Sequence, residues 1–308
     1  MTMLLAPTGP VRGISRRRAT LNLAALLCGT VGLDGCATLR RPVDESRLSG
    51  DTVALLGEVH DNAEQHGLRH AMLQRALAAG WRPALAMEQF DREHQADIDE
   101  ARRERPGDVQ HLIARAAPVG SDAARGWHWD FYRPYVALAL QYELPLLAAN
   151  LSNADTTRIV RGGDAAVLDA TAIARLGLGR TIDAQWQAAQ EHEIDMGHCH
   201  ALPRSLWPRM ARAQFARDAV MADVLRGHAG RGAVLLAGNG HARRDLGVPR
   251  WLDDTLRARV YAVGFLERGG EPWPAHAFDA MVLTAPAKRD DPCAAFDKRK
   301  PAMPGATS

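Results

Sequence analysis

Val53-Ala54-Leu55-Leu56-Gly57-Glu58-Val59-His60-Asp61-Asn62 decides how this chain is read. A short apolar run ends in glycine and delivers, without a spacer, a carboxylate, an imidazole, a second carboxylate and an amide. The run is too short for a helix and suits a strand buried on both faces. Residues 63–80 then have helical periodicity, so Glu58 and His60 fall where a strand ends and a helix begins. In open α/β folds that is the carboxyl edge of the sheet, where ligands bind. Late in the chain, Ala233-Val234-Leu235-Leu236-Ala237-Gly238-Asn239-Gly240-His241 repeats the pattern. Two strands that each end in Gly-x-x-His predict one shared site.

Outward from the first strand, residues 64–79 read as a helix with Leu68, Met72, Leu73, Ala76 and Leu77 on one face, capped by Gly80. Residues 84–90, Ala-Leu-Ala-Met-Glu-Gln-Phe, form a second buried strand that also ends with a carboxylate, Glu88. Strand, helix and strand at this spacing make a βαβ unit with parallel strands. Charged helices are expected over 91–104 and 108–117. An aromatic centre, Trp127-His128-Trp129-Asp130-Phe131-Tyr132-Arg133-Pro134-Tyr135, leads into a helix over 136–142 with Pro134 in its first turn. A third strand spans 144–150, and 154–184 suggests only weak helices. Helices follow over 185–193 and 207–227, then strands over 233–237, 260–266 and 279–284. The expected fold is α/β: a mostly parallel sheet with helices on both faces, a single domain over 51–285, and a disordered tail over 286–308.

The chain has 308 residues, 46% hydrophobic and 24% charged, with a formal net charge of +2, which provides no nucleic-acid footprint. Lysine occurs only at 288, 298 and 300, so arginine carries the positive charge before the tail. The first 36 residues read as a targeting segment. Arg16-Arg17-Arg18 form a basic region, 19–33 an apolar one, and Leu33-Asp34-Gly35-Cys36 has the shape of a lipobox. Residues 1–35 are thus expected to be a lipoprotein signal peptide, Cys36 the lipidated residue, and 36–50 a tether. Cys28 lies in the apolar region, which leaves Cys199 and Cys293 for the fold. Two cysteines make no disulfide framework, and a single bridge in an oxidising compartment stays open.

Glu58, His60, Glu88 and His241 are ligand types delivered from three strand ends. They suit Zn, Mn or Fe in an open coordination shell, or acid–base work without metal. His66 and His70, four apart on one helix, read as a solvated pair. Neighbours in His198-Cys199-His200 point to opposite sides, so one of the three enters a site at most. The segment 127–135 reads as core packing, or as a flat apolar wall for a planar cofactor with a tyrosine as axial ligand.

Gly57-Glu58-Val59-His60, Met87-Glu88-Gln89, Trp127 through Tyr135, His198-Cys199, Gln214-x-x-Arg217-Asp218 and Gly238-Asn239-Gly240-His241 together resemble the ChaN family of haem-binding lipoproteins. That family belongs to a wider grouping with Tiki-type proteases and erythromycin-esterase-like proteins. The resemblance covers roughly residues 51–285. It implies a parallel-sheet α/β fold, outer-membrane attachment facing the periplasm, and a role in haem or iron uptake, with an outer-membrane haem receptor as partner. It also implies a homodimer holding two stacked haems, with iron bound by a tyrosine and propionates held by a histidine and a lysine. Tyr132 and Tyr135 are the phenol candidates, with His198 or His241 as substitutes. No lysine precedes residue 288, so an arginine such as Arg217 would have to serve. For the protease branch the resemblance implies a metal-dependent hydrolase, its site mapping to His60, His241 and Glu58 or Glu88.

If the lipobox is read correctly, two or three acyl chains on Cys36 give stable attachment where one chain does not. Cys36→Ala should then release the protein from the membrane fraction, and a variant that still sediments with membranes contradicts the lipid anchor.

Overall fold

The computed structural model describes residues 42–294 apart from Glu271 and Pro292, and, of Asp122, the backbone only. Residues 1–41 and 295–308, including the lipobox and most of the expected tail, lie outside it. Among the described residues six strands form one sheet, all parallel: β1 (Val53–Glu58), β2 (Ala84–Asp91), β3 (Leu146–Asn150), β4 (Ala233–Gly238), β5 (Val260–Glu267) and β6 (Ala280–Thr284). Their spatial order is β3-β2-β4-β1-β5-β6.

The helices are α1 (Ala63–Ala78), α2 (Gln95–Glu104), α3 (Val109–Ala116), α4 (Asp122–Gly126), α5 (Trp129–Gln141) and α6 (Asn153–Gly162) in the first half. They continue with α7 (Ala170–Arg175), α8 (Ala184–Gly197), α9 (Trp207–His228), α10 (Asn239–Ala242) and α11 (Asp254–Ala258). Alternate strand residues feed two cores. Val53, Leu55, Ala86, Leu235 and Ala262 pack against α6, α8 and α9, whereas Ala54, Leu56, Met87, Leu236 and Val263 pack against α1, α2, α3 and α5. Helices therefore cover both faces, as expected. This is why the strands are continuously apolar rather than alternating. Among the described residues no helix is long and apolar enough to cross a membrane.

The strand order places a topological switch between β1 and β4. After β1 the chain crosses to α1 on one face, and after β4 it turns into α10, whose Ala242 joins the core of the other face. The crevice opened by that divergence is where doubly wound folds bind ligands. Glu58 and Gly238 are register partners at its floor.

Three expectations need correction. The buried stripe of α1 is Gln65, His66, Arg69, Met72, Leu73, Ala76 and Leu77, whereas Leu68 is 44% exposed. The helix is rotated because polar Gln65, His66 and Arg69 have partners inside. Second, α5 starts at Trp129, so Pro134 sits within the helix rather than in its first turn. Third, the expected disordered tail is held as far as it is described. Ala287 N–H and Arg289 bond Glu267, Arg289 also pairs with Asp61, and Cys293 is disulfide-bonded to Cys199.

Candidate functional site

Glu58 ends β1 with its side chain fully buried, and what surrounds it explains how a buried carboxylate is tolerated. Arg69, equally buried on α1, pairs with one carboxylate oxygen. Tyr132 O–H donates to the other oxygen at 2.6 Å, and His60 Nδ1 lies 3.0 Å from the same atom. Burial raises the pKa of Glu58, but Arg69 with His60 and His66 outweighs it, so the group is held below its usual value and charged. Arg69 is in turn satisfied by Leu56 O at 2.9 Å and by the Tyr135 hydroxyl at 3.1 Å. The Tyr135 O–H donates to His66 O at 2.8 Å. His66, read as solvated, is buried: its Nε2 bonds His60 O at 3.0 Å, and its ring stacks on Phe131. Burial holds its pKa down despite Glu58, which keeps it neutral.

A second cluster forms at the end of β2 and β4. Glu88 accepts Gly238 N–H at 2.7 Å and lies 3.4 Å from His241 Nε2. His241 Nδ1 faces Asp218 on α9 at 2.6 Å, and Gln214 reaches the same ring. Burial lowers the pKa of His241, but Glu88 and Asp218 overcome it and hold the imidazole protonated. Burial raises the pKa of Glu88, and His241 with the Gly238 amide reverses that. Asp218 stays pushed up to about 6, because burial there outweighs His241.

The two glycines of the repeated motif act reciprocally. A Cβ on Gly57 would stand 2.3 Å from Asn239 Oδ1 and 3.1 Å from Ala242 Cβ. A Cβ on Gly238 would stand 3.0 Å from His60 Cε1 and 3.1 Å from Nε2, with Glu88 Oε2 at 3.8 Å. Each glycine thus makes room for the residues of the other motif, and the four predicted residues Glu58, His60, Glu88 and His241 meet at one sheet edge.

Among the described residues no three His, Cys, Asp or Glu side chains are arranged to hold a metal ion. Glu58 is engaged by Arg69 and Tyr132, and His241 lies between Glu88 and Asp218.

Beside this edge an open pocket of about 250 Å³ is lined by His60, Glu88, Asp91, Ala123, Gly126, Trp127, Asn150, Asn153 and Arg217. The His60 side chain is 47% exposed, and Trp127 meets it edge-on at 4.8 Å. Arg217 lines the pocket, with Nη2 donating to Asn153 Oδ1 at 2.5 Å. Tyr132 and Tyr135 do not, since both rings are fully buried and both hydroxyls are engaged. Burial and the neighbouring Glu58 together push the Tyr132 phenol far up. His198 lies at the C-terminal end of α8, bonded to Ile194 O, outside the pocket lining. Sequence reading missed Arg69, although an arginine spaced three and four residues from His66, Met72 and Leu73 on the buried stripe signals a buried anion.

The buried charges fix a pH dependence. The pKa of His241 is raised on folding, so its contribution to stability is complete below about pH 6.5 and is lost as pH rises. That of Glu88 is lowered, so its contribution is complete above about pH 4.3 and is lost as pH falls. Thermal unfolding should therefore show an alkaline loss of stability that His241→Gln flattens. An unchanged alkaline limb in that variant contradicts a buried imidazolium.

A family model described as "Haem-binding uptake, Tiki superfamily, ChaN" matches residues 46–252. No curated protein matches the chain. Among solved structures, one titled cofacial heme binding to ChaN of Campylobacter jejuni is similar, with a TM-score of 0.56 at 19% identity, over 77% of this chain and 88% of that one. At that identity the likeness concerns the fold. An erythromycin esterase mutant in its open conformation reaches a TM-score of 0.42 at 15% identity, over 78% and 80% of the two chains. The family match spans most of the described sheet, both Gly-x-x-His strand ends and the aromatic segment, and on it the chain belongs to the ChaN family of the Tiki superfamily.

Proposed function

We propose that this protein binds haem in the pocket beside Trp127 and serves haem or iron uptake. The family match supports the ligand class. The observation that carries the reading at this site is His60, a half-exposed imidazole in the pocket lining. His60 Nδ1 lies 3.0 Å from Glu58 Oε1, and with the proton on that nitrogen Nε2 would be the donor to iron. A carboxylate behind a ligating histidine is the usual way to fix ring orientation and strengthen the donor. Trp127 supplies a flat apolar wall, and Arg217 with Asn153 supplies donors for a propionate where the chain has no lysine. Bound haem would supply the iron, and this chain's residues would hold and orient it. Tyr132 could serve as ligand only by surrendering Glu58.

A pocket of about 250 Å³ takes in part of a macrocycle rather than the whole. A second copy against the open face would complete the enclosure, so a homodimer belongs to the proposal. The lipobox at 33–36 supports a lipid-anchored, outer-membrane location, and the family resemblance supports an outer-membrane haem receptor as the source of ligand.

Ferric haem titration followed by absorption tests the site. Glu58→Gln, which removes the carboxylate behind His60, should weaken binding about 10- to 100-fold, and His60→Ala at least as much. Tyr132→Phe should leave the haem spectrum unchanged. A spectrum indifferent to His60→Ala and altered by Tyr132→Phe would return the iron to the phenol.

A further inference from the structure

The turn that carries His60 is closed on its outer side by the C-terminal segment. Asn62 caps α1 through Gln65 N–H, and its own amide donates to Ala285 O at 2.9 Å and Glu267 at 2.8 Å. Gln65 Nε2 reaches Thr284 Oγ1 at 3.0 Å, and its Oε1 accepts Val59 N–H at 2.7 Å. Asp61, the residue after His60, is gripped by Arg289 through two bonds of 2.6 Å. The same guanidinium bonds Glu267 on β5 at 2.9 and 2.7 Å. Arg289 therefore bridges the ligand-carrying turn to the sheet with a planar fork that lysine cannot reproduce.

Four residues further on, Cys293 is bonded to Cys199, just beyond α8, across a separation of 94 residues. Cys199 and the adjacent His200 both have φ of +55°, two consecutive non-glycine residues in the left-handed region. His200 is held there by its N–H to Asp195 O and by its ring to the Asp195 carboxylate at 2.7 Å. The segment is thus fastened at one end by β6 and at the other by a covalent bond, with Arg289 between them.

We propose that Arg289 is a positioning residue for the His60 turn and that the Cys199–Cys293 disulfide is a redox latch keeping it in place. The inference deepens the ligand reading above and rests on it only for its effect on haem. Opening the latch requires a dithiol reductant. One of its thiolates attacks a protein sulfur and breaks the S–S bond, and the departing cysteine takes a proton. The second thiol resolves the mixed disulfide, so two electrons and two protons pass to Cys199 and Cys293 while the reductant leaves as its own disulfide. Arg289 then lacks its distal anchor, and the turn at 59–62 keeps only α1 and the bonds of Asn62 and Gln65 to Glu267, Thr284 and Ala285.

Amide hydrogen exchange on the haem-free, full-length chain reads this directly, with Val59 and Asn62 as reporters. Reduction with dithiothreitol, the Cys199→Ser/Cys293→Ser double variant and Arg289→Gln in the oxidised protein should each speed their exchange by about tenfold or more, the effect of losing one charge-assisted contact. Exchange unchanged at Val59 and Asn62 on reduction or in Arg289→Gln overturns the latch, even if residues 285–291 become mobile. Ferric haem affinity of the double variant should fall severalfold together with the faster exchange. Faster exchange in a protein that binds no haem in any form leaves the latch standing and defeats the haem reading instead.

Discussion

The buried pair of Glu58 and Arg69 is the constraint on which the site depends. Both side chains are withdrawn from water, and the desolvation of two ions costs several kcal/mol each unless every lone pair and proton finds a partner. Here Tyr132 and His60 approach one carboxylate oxygen and Arg69 pairs with the other, while Leu56 O, Tyr135 and His66 surround the guanidinium. An apolar pair of the same volume would be no less stable in such a core. What the ionic pair adds is direction, since the carboxylate oxygen not paired with Arg69 lies 3.0 Å from His60 Nδ1 and fixes that edge of the ring.

The switch between β1 and β4 gives that direction a place to act. The two Gly-x-x-His ends lie side by side, each glycine leaving space for the other motif, so the crevice floor is backbone and its walls are imidazole, carboxylate and indole. In the second cluster Glu88, itself in the pocket lining, and Asp218 flank a protonated His241. That cluster fixes Gly238 through the amide bond to Glu88, and Gly238 in turn sets the seat of His60. Two charged clusters thus hold one half-exposed histidine from opposite sides.

Much of this was legible before any coordinates. Continuous apolar runs of five to eight residues, broken by glycine or proline, marked all six strands, because a parallel sheet covered on both faces leaves no polar alternation to confuse them. The convergence of Glu58, His60, Glu88 and His241 followed from the carboxyl-edge rule. The orientation of Tyr132 and Tyr135 was not legible. Phenols on an aromatic helix serve equally as core or as ligand, and only the buried Glu58 and Arg69, from other elements, drew them inward. The rotation of α1 failed for the same reason, since a hydrophobic stripe drawn through Leu68 cannot register that His66 and Arg69 have partners on the sheet and on α5. The role of the segment beyond β6 was hidden because its composition is that of a free tail, while the residues that hold it, Asp61, Glu267 and Cys199, are remote in sequence.

The most direct measurement is a double-mutant cycle on the central pair, with Glu58→Gln, Arg69→Met and the combination followed by denaturant unfolding. Removing one partner strands the other charge in the core, so each single change should cost about 3–5 kcal/mol. The double variant should be markedly less destabilised than the sum, with a coupling of roughly 2 kcal/mol or more. Additivity of the two changes within about 0.5 kcal/mol would mean that the residues do not depend on each other, and would contradict the account.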